Sequence, residues 1–327
     1  MYIYLIMSLM ISLIIFIIIL FIYIHMIDQF KKSNDLELYE MDYTNNNDLN
    51  ETCNIKQPIV FYLKNVNEEF FDNINIEYLD KIQDNILITD EKREQFVLNF
   101  SSASLLLQND KKHKFYTEDN ESFVYDTNLQ NLYESNDTFL KPYFTVHTKY
   151  DLHFASNECT TPLKYHTFQR KFFCVHSGKI RIKLIPPKYS TYLHEIKDYD
   201  KLEFYSPINI WDIQKEYIHL IEKTQQLEFD VQPGNVIFIP PYWWYSVKYI
   251  YDDDTPSLAS SITYITGMNA LANAKNYLLY FVQQSNTKVV KTKTITQEEL
   301  KEQLDENNQD EEDAENDTTT QKLKTDI

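Results

Sequence analysis

Two stretches of the chain hold the residues whose types and spacing could do chemistry. The first covers 160–187 with the sequence TTPLKYHTFQRKFFCVHSGKIRIKLIPP, and the second covers 231–247 with the sequence VQPGNVIFIPPYWWYSV. Lys164 and His166 stand two residues apart in the first stretch, so on a β-strand both side chains project from the same face. The lysine ammonium could hold a carboxylate or a phosphate there. The imidazole could be a hydrogen-bonded core group or a metal ligand.

The two stretches together resemble the two halves of the metal site in the JmjC and cupin-like group of iron(II)/2-oxoglutarate oxygenases. In that family the first half resembles T-P-L-H-x-D followed by G-x-K and a closing P-P, and the second resembles P-G-D-x-x-F-I-P-P-x-W-W-H. The residues shared with these patterns are 161–163, Gly178, 186–187, 233–234 and 240–244. The resemblance implies a double-stranded β-helix, that is, a cupin or jelly-roll barrel. Members hold iron with two His and one carboxylate, which leaves positions for 2-oxoglutarate and oxygen.

The three positions that match the family's metal ligands carry other residues. The alignment puts Lys164 at the first His, His166 at the carboxylate and Tyr245 at the distal His. A lysine ammonium repels a metal, and a phenol is a poor iron(II) ligand beside it. No Asp or Glu lies between Cys159 and His194, so no shift of register within the motif supplies the carboxylate. We therefore predict neither a metal site nor a cofactor.

The residue at the position that binds the cosubstrate in the family also differs. The lysine that grips 2-oxoglutarate in relatives with G-x-K is replaced by Ile180. Strand alternation sends Ile180 and the other apolar residues of 179–185 inward and the basic residues outward. The remaining positions that match the family's pocket are Thr161, Tyr165, Ile180, Trp243 and Trp244.

Three hypotheses for function follow. The first is a pseudoenzyme, a JmjC/cupin-like domain on a membrane that acts as a binding or structural module; in one form of it Lys164 binds an anion in the old pocket. The second is an active hydroxylase or demethylase that uses Fe(II) and 2-oxoglutarate with a non-standard metal site, combining His166 with His147 or His153. The third is a structural component of a membrane or virion that acts through its acidic tail.

The N-terminal part of the chain is predicted to be a membrane anchor. Residues 2–24 are apolar and uncharged, and a helix of this length spans roughly the 30 Å of a bilayer core. A cleaved signal peptide would have a charged n-region and a cleavage site of small residues, and the sequence shows neither. A retained membrane helix is therefore favoured. Lys31 and Lys32 follow the apolar run, which favours a cytoplasmic or virion-interior main domain for this single-pass protein. Residues 25–54 are polar and are predicted to be a tether.

The main domain is predicted to cover 55–287. Many short strands with turn residues between them indicate an antiparallel barrel with a core at about 142–267. Residues 268–284 carry apolar residues at helical spacing and are predicted to form a helix. The fold class is therefore mainly β with flanking helices, preceded by one transmembrane helix. Residues 288–327 are acidic and are predicted to be a disordered tail.

The composition of the chain limits which classes of partner are expected. The net charge of −18 excludes a nucleic-acid-binding surface as the main function, so the expected partners are the membrane and an unidentified protein. The three cysteines have unrelated spacings, which indicate neither a zinc site nor a disulfide framework. Only three glycines occur, as in chains from AT-rich genomes such as those of large DNA viruses or protists. Gly178 and Gly234 both fall inside the two stretches, where we expect turns that need positive φ.

Overall fold

Alternation of apolar and polar residues decides which face of each strand is buried. In Lys179–Ile185 the side chains of Ile180, Ile182 and Leu184 are fully buried, and the basic residues between them are partly exposed. Successive side chains of a strand point to opposite faces, so this segment has one apolar face that must be covered. It is therefore suited to one wall of a closed barrel.

The computed structural model describes residues 2–199, 203–253, 255–285 and 293–294. The strands are β1 Tyr39–Glu40, β2 Ile59–Tyr62, β3 Asn85–Thr89, β4 Gln95–Asn99, β5 Tyr116–Thr117, β6 Thr145–Phe154, β7 Lys164–His166, β8 Arg170–Ser177, β9 Lys179–Ile185, β10 Ile196–Asp198, β11 Glu203–Tyr205, β12 Leu227–Val231, β13 Asn235–Ile239, β14 Trp244–Ile250, β15 Leu258–Thr266 and β16 Lys293–Thr294. The helices are α1 Tyr2–Asp28, α2 Asn46–Cys53, α3 Glu68–Asn73, α4 Ile76–Leu79, α5 Phe100–Asn109, α6 Glu121–Asp126, α7 Gln130–Glu134, α8 Asp137–Leu140, α9 Ile218–Ile221, α10 Gly267–Ala272 and α11 Ala274–Ser285, with a 3-10 helix at Pro187–Tyr192.

Two six-stranded sheets enclose the barrel interior. Their strand orders are β1-β2-β13-β8-β15-β6 and β10-β11-β7-β14-β9-β12. Apolar side chains from both sheets, including Phe173 and Ile237 of the first and Ile182 and Val247 of the second, form one buried cluster between them. The mainly β class with flanking helices is confirmed. Because β1 and β2 extend the first sheet, the barrel also uses strands that precede the predicted core at about 142–267.

A second, larger core lies on the outer face of the first sheet. Helices α2 to α8 contribute buried residues such as Phe70, Phe100 and Tyr133, which pack against Phe172 and Tyr264 of the sheet. The four-stranded sheet β16-β4-β3-β5 belongs to this N-terminal layer. The strand β8 is buried on both faces, because its alternate residues enter the two cores.

The segment 25–54, which the sequence predicts to be a tether, differs from that expectation. It contains β1, which pairs with β2, and α2, whose Leu49 and Cys53 are buried. The side chain of Asn45 caps α2 by accepting hydrogen bonds from the backbone of Asn47 and Asp48. Two apolar residues spaced four apart are too few to show helical periodicity in the sequence, yet they are enough to fasten this short helix to the domain.

The N-terminal helix α1 extends over Tyr2–Asp28. Its segment Ile6–Asp28 is long and apolar enough to cross a membrane. Side chains along most of its length are exposed to the surroundings. The structure therefore contains the single N-terminal apolar helix that the sequence predicts.

The helix predicted at 268–284 is present as two helices, α10 and α11, that meet at Asn273. Asn273 is buried, and its side-chain Nδ2 donates to the carbonyl oxygens of Thr167 and Asn269 at 3.2 and 3.0 Å. An asparagine amide that competes for backbone carbonyls interrupts a helix at little cost. The predicted acidic tail 288–327 lies outside the described residues, apart from β16.

The turn at Gly178 between β8 and β9 requires glycine. Its φ is +58°, and a Cβ there would lie 2.6 Å from Ser257 Cα and 2.9 Å from Ser257 N. We expect Gly178→Ala to lower the free energy of unfolding by roughly 2–4 kcal/mol, combining backbone strain with overpacking. Urea titration of the detergent-solubilised protein, followed by tryptophan fluorescence, measures this.

Gly267→Ala is the matched control for that substitution. A Cβ at Gly267 would have an ordinary contact of 3.6 Å with Val146 Cγ1. The control should change stability by less than about 1 kcal/mol, because alanine also favours the helix. Equal effects of the two substitutions would contradict the assigned role of Gly178.

A partly buried histidine packs against the N-terminal layer. His176 packs against the rings of Phe70 and Phe71 of α3, and its Nε2 is 2.7 Å from Ser260 Oγ. Burial lowers the pKa of His176 from 6.5 to about 3. The folded protein thus keeps this imidazole neutral at pH values where the unfolded chain protonates it.

Stability should consequently fall on acidification through this group. The unfolded chain binds the extra proton between about pH 6.5 and 3, so the free energy of unfolding decreases as pH drops through that window and is fully retained above it. We expect His176→Gln to flatten the pH dependence between pH 6.5 and 4, measured by urea unfolding at each pH. His219→Gln, at an exposed position, is the control and should keep the wild-type slope of unfolding free energy against pH. The same slope in His176→Gln as in wild type would contradict the assignment.

Candidate functional site

The three positions aligned with the family's metal ligands lie side by side. Strand β7 pairs with β14, and Tyr245 stands directly opposite Lys164 in the register. Cross-strand partners project from the same face of a sheet, and Tyr245 belongs to the apolar interior. Lys164 and His166, two residues apart, therefore also face inward. The ring centroids of His166 and Tyr245 are 6.1 Å apart. We call this end of the interior the barrel mouth.

The ammonium of Lys164 is paired with a carboxylate that the sequence did not reveal. Its Nζ lies 2.6 Å from Glu118 Oε2, and the two side chains are only 12% and 9% exposed. Glu118 follows β5 and lies 46 residues upstream of Lys164. Two opposite charges at this distance in a poorly hydrated place stabilise each other, and either one alone would be strongly unfavourable. The pair neutralises the charge of Lys164 within the mouth.

The imidazole of His166 is a packed and hydrogen-bonded group. It is fully buried, and its Nε2 is 3.2 Å from the carbonyl oxygen of Ile239. A carbonyl oxygen can only accept, so Nε2 carries a proton and donates. The ring also stacks on Phe168 with centroids 5.6 Å apart. In this tautomer, Nε2 is used in a hydrogen bond to the backbone.

The phenol of Tyr245 is enclosed by apolar and cationic groups. Its ring is fully buried and lies 6.1 Å from the ring of Phe173. The Lys171 ammonium is 5.7 Å from the Tyr245 ring centroid, within reach of a cation–π interaction. Lys171 itself is buried beside the mouth. The surroundings of Tyr245 therefore hold its ring in place.

The alternative metal hypothesis combines His166 with either His147 or His153, and these two histidines have different surroundings. His147 and His153 share one face of β6, but six residues of strand separate them by roughly 20 Å. His147 is exposed, whereas His153 is buried with Nε2 2.9 Å from Ser261 Oγ and Nδ1 3.3 Å from the Thr117 carbonyl oxygen. Burial lowers the pKa of His153, so its imidazole is neutral at pH 7. Nδ1 donates to the carbonyl and Nε2 accepts from the serine.

The other predicted pocket residues divide between the two faces of the second sheet. Thr161 is buried near the mouth, and its Oγ1 accepts from Val247 N at 2.9 Å. Trp243 lies in the interior and donates from Nε1 to the Lys56 carbonyl oxygen at 3.2 Å. Ile180 is interior but stands opposite Tyr249, four residues beyond Tyr245 and so roughly 13 Å deeper. It forms part of an apolar floor.

Tyr165 and Trp244 lie outside the interior. Their rings pack edge to face with centroids 4.7 Å apart, within a separate cluster that includes Leu163 and Ile208. Trp244 Nε1 donates to Ser190 Oγ at 2.9 Å. Since neighbouring strand residues point to opposite faces, Tyr165 cannot share the mouth with Lys164 and His166. This pair supports the sheet from behind.

The donor set at the mouth does not fit iron(II). Among the residues that the structure describes, no group of three or more His, Cys, Asp or Glu side chains is placed to hold a metal ion. Glu118, the carboxylate closest to the aligned positions, is occupied by Lys164. At the cosubstrate position, Ile180 offers no charge to a 2-oxoglutarate carboxylate. The residues present thus match neither the metal nor the cosubstrate of the family.

A cleft of about 460 Å³ opens beside the mouth. Thr161 and Tyr116 form part of its wall, and Arg93 lies across it with its guanidinium carbon 3.9 Å from the Tyr205 ring centroid. The Tyr116 side chain is buried, and its hydroxyl makes no hydrogen bond among the described residues. Burial raises the pKa of Tyr116 well above its ordinary value, so the phenol stays protonated. The cleft has the size of a small-ligand site.

Comparison with known families agrees with this architecture. Residues 27–264 match the family model described as a cupin-like domain. The matched range includes both sequence stretches and also β1 and α2, the elements found in place of a tether. No curated protein matches the chain at a significant level.

The ion pair at the mouth should be strongly coupled. Lys164→Met leaves the Glu118 carboxylate buried without its charge partner, and we expect a loss of about 3–5 kcal/mol in the free energy of unfolding. The double substitution Lys164→Met with Glu118→Leu should recover much of that loss. A double-mutant cycle by urea unfolding measures the coupling.

The exposed pair Lys81–Glu77 on and beside α4 is the control for this cycle. Its atoms are 3.1 Å apart, but the side chains are 70% and 87% exposed. Lys81→Met should cost less than about 0.5 kcal/mol, because water screens the pair. Additive effects of the two substitutions at the mouth would show that Lys164 and Glu118 do not depend on each other.

Proposed function

The chain belongs to the cupin-like domain family, and on that premise we propose that it is a membrane-anchored, catalytically inactive member whose barrel acts as a binding or structural module. The observation that supports inactivity is the Lys164–Glu118 ion pair at 2.6 Å. It occupies the place where the resemblance puts the first metal ligand. The Lys164 ammonium and the Glu118 carboxylate therefore lie where members of the family hold iron.

The chemistry of the three aligned groups supports the same proposal. A metal ligand must offer a lone pair, and the Lys164 ammonium has none while it is protonated. His166 already donates from Nε2 to the Ile239 carbonyl. Tyr245 is enclosed by Phe173 and the Lys171 ammonium. These contacts stabilise the fold of the mouth and leave no facial set of two imidazoles and a carboxylate.

The contacts also disfavour an anion at Lys164. A carboxylate or phosphate ligand would have to displace Glu118, which is 9% exposed and would then lie buried without its cation. The cost of that displacement favours a structural role for Lys164. The cleft beside Thr161 is a better place for a ligand. It has a volume of about 460 Å³, and in its wall the Arg93 guanidinium stacks on the Tyr205 ring.

Membrane anchoring is assigned to α1. Its segment Ile6–Asp28 has the length and apolar composition of a span. Lys31 and Lys32 follow it, and by the distribution of positive charge they favour a domain on the cytoplasmic or virion-interior side. The domain would then be held at the inner face of that membrane.

Metal content and turnover test the inactivity. Purified full-length protein, loaded anaerobically with Fe(II) and given 2-oxoglutarate, should retain no stoichiometric iron after desalting and should release no succinate above a protein-free blank. Mass spectrometry of metals and quantification of succinate give the two measurements. Stoichiometric iron together with succinate release would overturn the proposal.

A variant with the family's ligands restored serves as the positive control. It combines Lys164→His, His166→Asp and Tyr245→His with Glu118→Gln, which removes the carboxylate left without a partner. Since the backbone already places these positions together, we expect this variant to gain iron binding in the same assay. Circular dichroism establishes that the variant is folded before the comparison is made.

A further inference from the structure

The outer face of α11 is apolar. Leu278, Phe281 and Val282 are more than half exposed, and their spacing of three and four residues places them on one face of the helix. The flank of this stripe packs on the domain, where the partly buried Tyr277 contacts the cluster of Phe168 and Ile265. A surface helix ordinarily turns its apolar stripe inward. Here a second apolar stripe faces outward.

Large apolar side chains are also exposed at the start of β6 and immediately before it. Tyr143, Phe144 and Val146 are exposed, with Phe144 reaching 89%. The Phe144 carbonyl accepts from Gly267 N at 3.0 Å, so this segment lies against the first residue of α10. We define the α10–α11 apolar surface by Tyr143, Phe144, Val146, Leu271, Leu278, Phe281 and Val282. Monomeric soluble proteins rarely expose so many large apolar side chains together.

The neighbour of this surface is the anchor helix. α1 packs against α10. Ile22 and Met26 are partly buried and Gln29 is buried, at a spacing of four and three that marks one face of the last turns of α1. Ile22 lies six residues before the end of the span at Asp28, which corresponds to roughly 9 Å along the helix. If α10 packs on these last turns of α1, it lies close to the end of the span and so near the lipid headgroups.

Contacts on the domain side hold this arrangement. The Lys32 ammonium is 4.4 Å from the Tyr242 ring centroid, and Asn34 Oδ1 accepts from Lys188 N at 2.8 Å. Gln29 is buried in the same connection. The segment that leaves the bilayer is therefore fastened to the domain within a few residues, and the domain cannot swing away on a long tether.

We propose that the α10–α11 apolar surface lies in the interfacial layer of the same membrane that α1 spans, with lipid as its partner. The proposal rests on the membrane anchoring assigned to α1. Tyr and Phe side chains are favourable at the headgroup level, and a helix that lies in this layer buries its apolar face among the acyl chains. Lys275, which is exposed on α11, can extend its ammonium to the headgroups.

Site-directed fluorescence in full-length protein tests the depth of this surface. The native cysteines Cys53, Cys159 and Cys174 are all buried, so a thiol-reactive fluorophore will label an introduced exposed cysteine selectively. The test variant is Phe281→Cys, whose native side chain is 66% exposed. Leu105→Cys on α5 is the matched water control and Phe16→Cys in α1 the matched lipid control, both 61% exposed in the native protein.

Each variant is labelled with an environment-sensitive nitrobenzoxadiazole dye and reconstituted in phosphatidylcholine vesicles with or without brominated acyl chains. We expect the dye at 281 to show a blue-shifted emission and to lose intensity in brominated lipid, as the dye at 16 does, while the dye at 105 shows neither effect. Emission at 281 that matches the dye at 105 would overturn the proposal.

Two further outcomes separate the proposal from its premise and from another occupant. If the dye at 16 is also insensitive to brominated lipid, α1 does not span the bilayer and the anchoring itself fails. If the dye at 281 is blue-shifted but not quenched by bromine, and its shift disappears on dilution to one chain per vesicle, a second copy of the chain covers the surface. That outcome also overturns the proposal.

Discussion

The arrangement of the barrel mouth depends on one buried charge having a partner. An ammonium projecting inward from β7 would be strongly unfavourable alone, because the interior around Tyr245 is poorly hydrated. Glu118 supplies the opposite charge from outside the barrel strands, at the end of β5. The N-terminal layer thereby contributes a charge to the barrel interior as well as packing on its outer face. Removing either partner exposes the full cost of burying the other.

Further hydrogen bonds hold the segment that carries Glu118. Thr117 Oγ1 donates to the Leu152 carbonyl oxygen at 3.0 Å, and the backbone N of Asn120 donates to Asp151 Oδ1 at 2.8 Å. Both partners belong to β6, which also carries the neutral His153. The polar residues of the mouth thus form a supported layer above an apolar floor of residues such as Ile180.

Residues 39–53 link the domain to the apolar helix α1. β1 and α2 attach the residues that follow α1 to the barrel and to the N-terminal layer. The helix α1 itself contacts α10. A short connection restricts the orientation of the domain relative to the span. An apolar surface at that position is consistent with a domain that rests on the bilayer, since exposure to water would be costly.

Local spacing made much of this protein predictable from its sequence alone. The apolar run of α1, the alternation along β9 and the glycine at 178 follow from backbone geometry within a few residues, and they indicate the span, the inward face and the turn. The register of Lys164, His166 and Tyr245 could also be placed, because the residues around them repeat a known pattern. Tertiary structure alone decided that Glu118 meets Lys164, that residues 25–54 pack on the domain, and that the rings of Tyr165 and Trp244 pack edge to face. Each of these depends on contacts between segments far apart in the chain, and such contacts leave no periodic trace in the sequence.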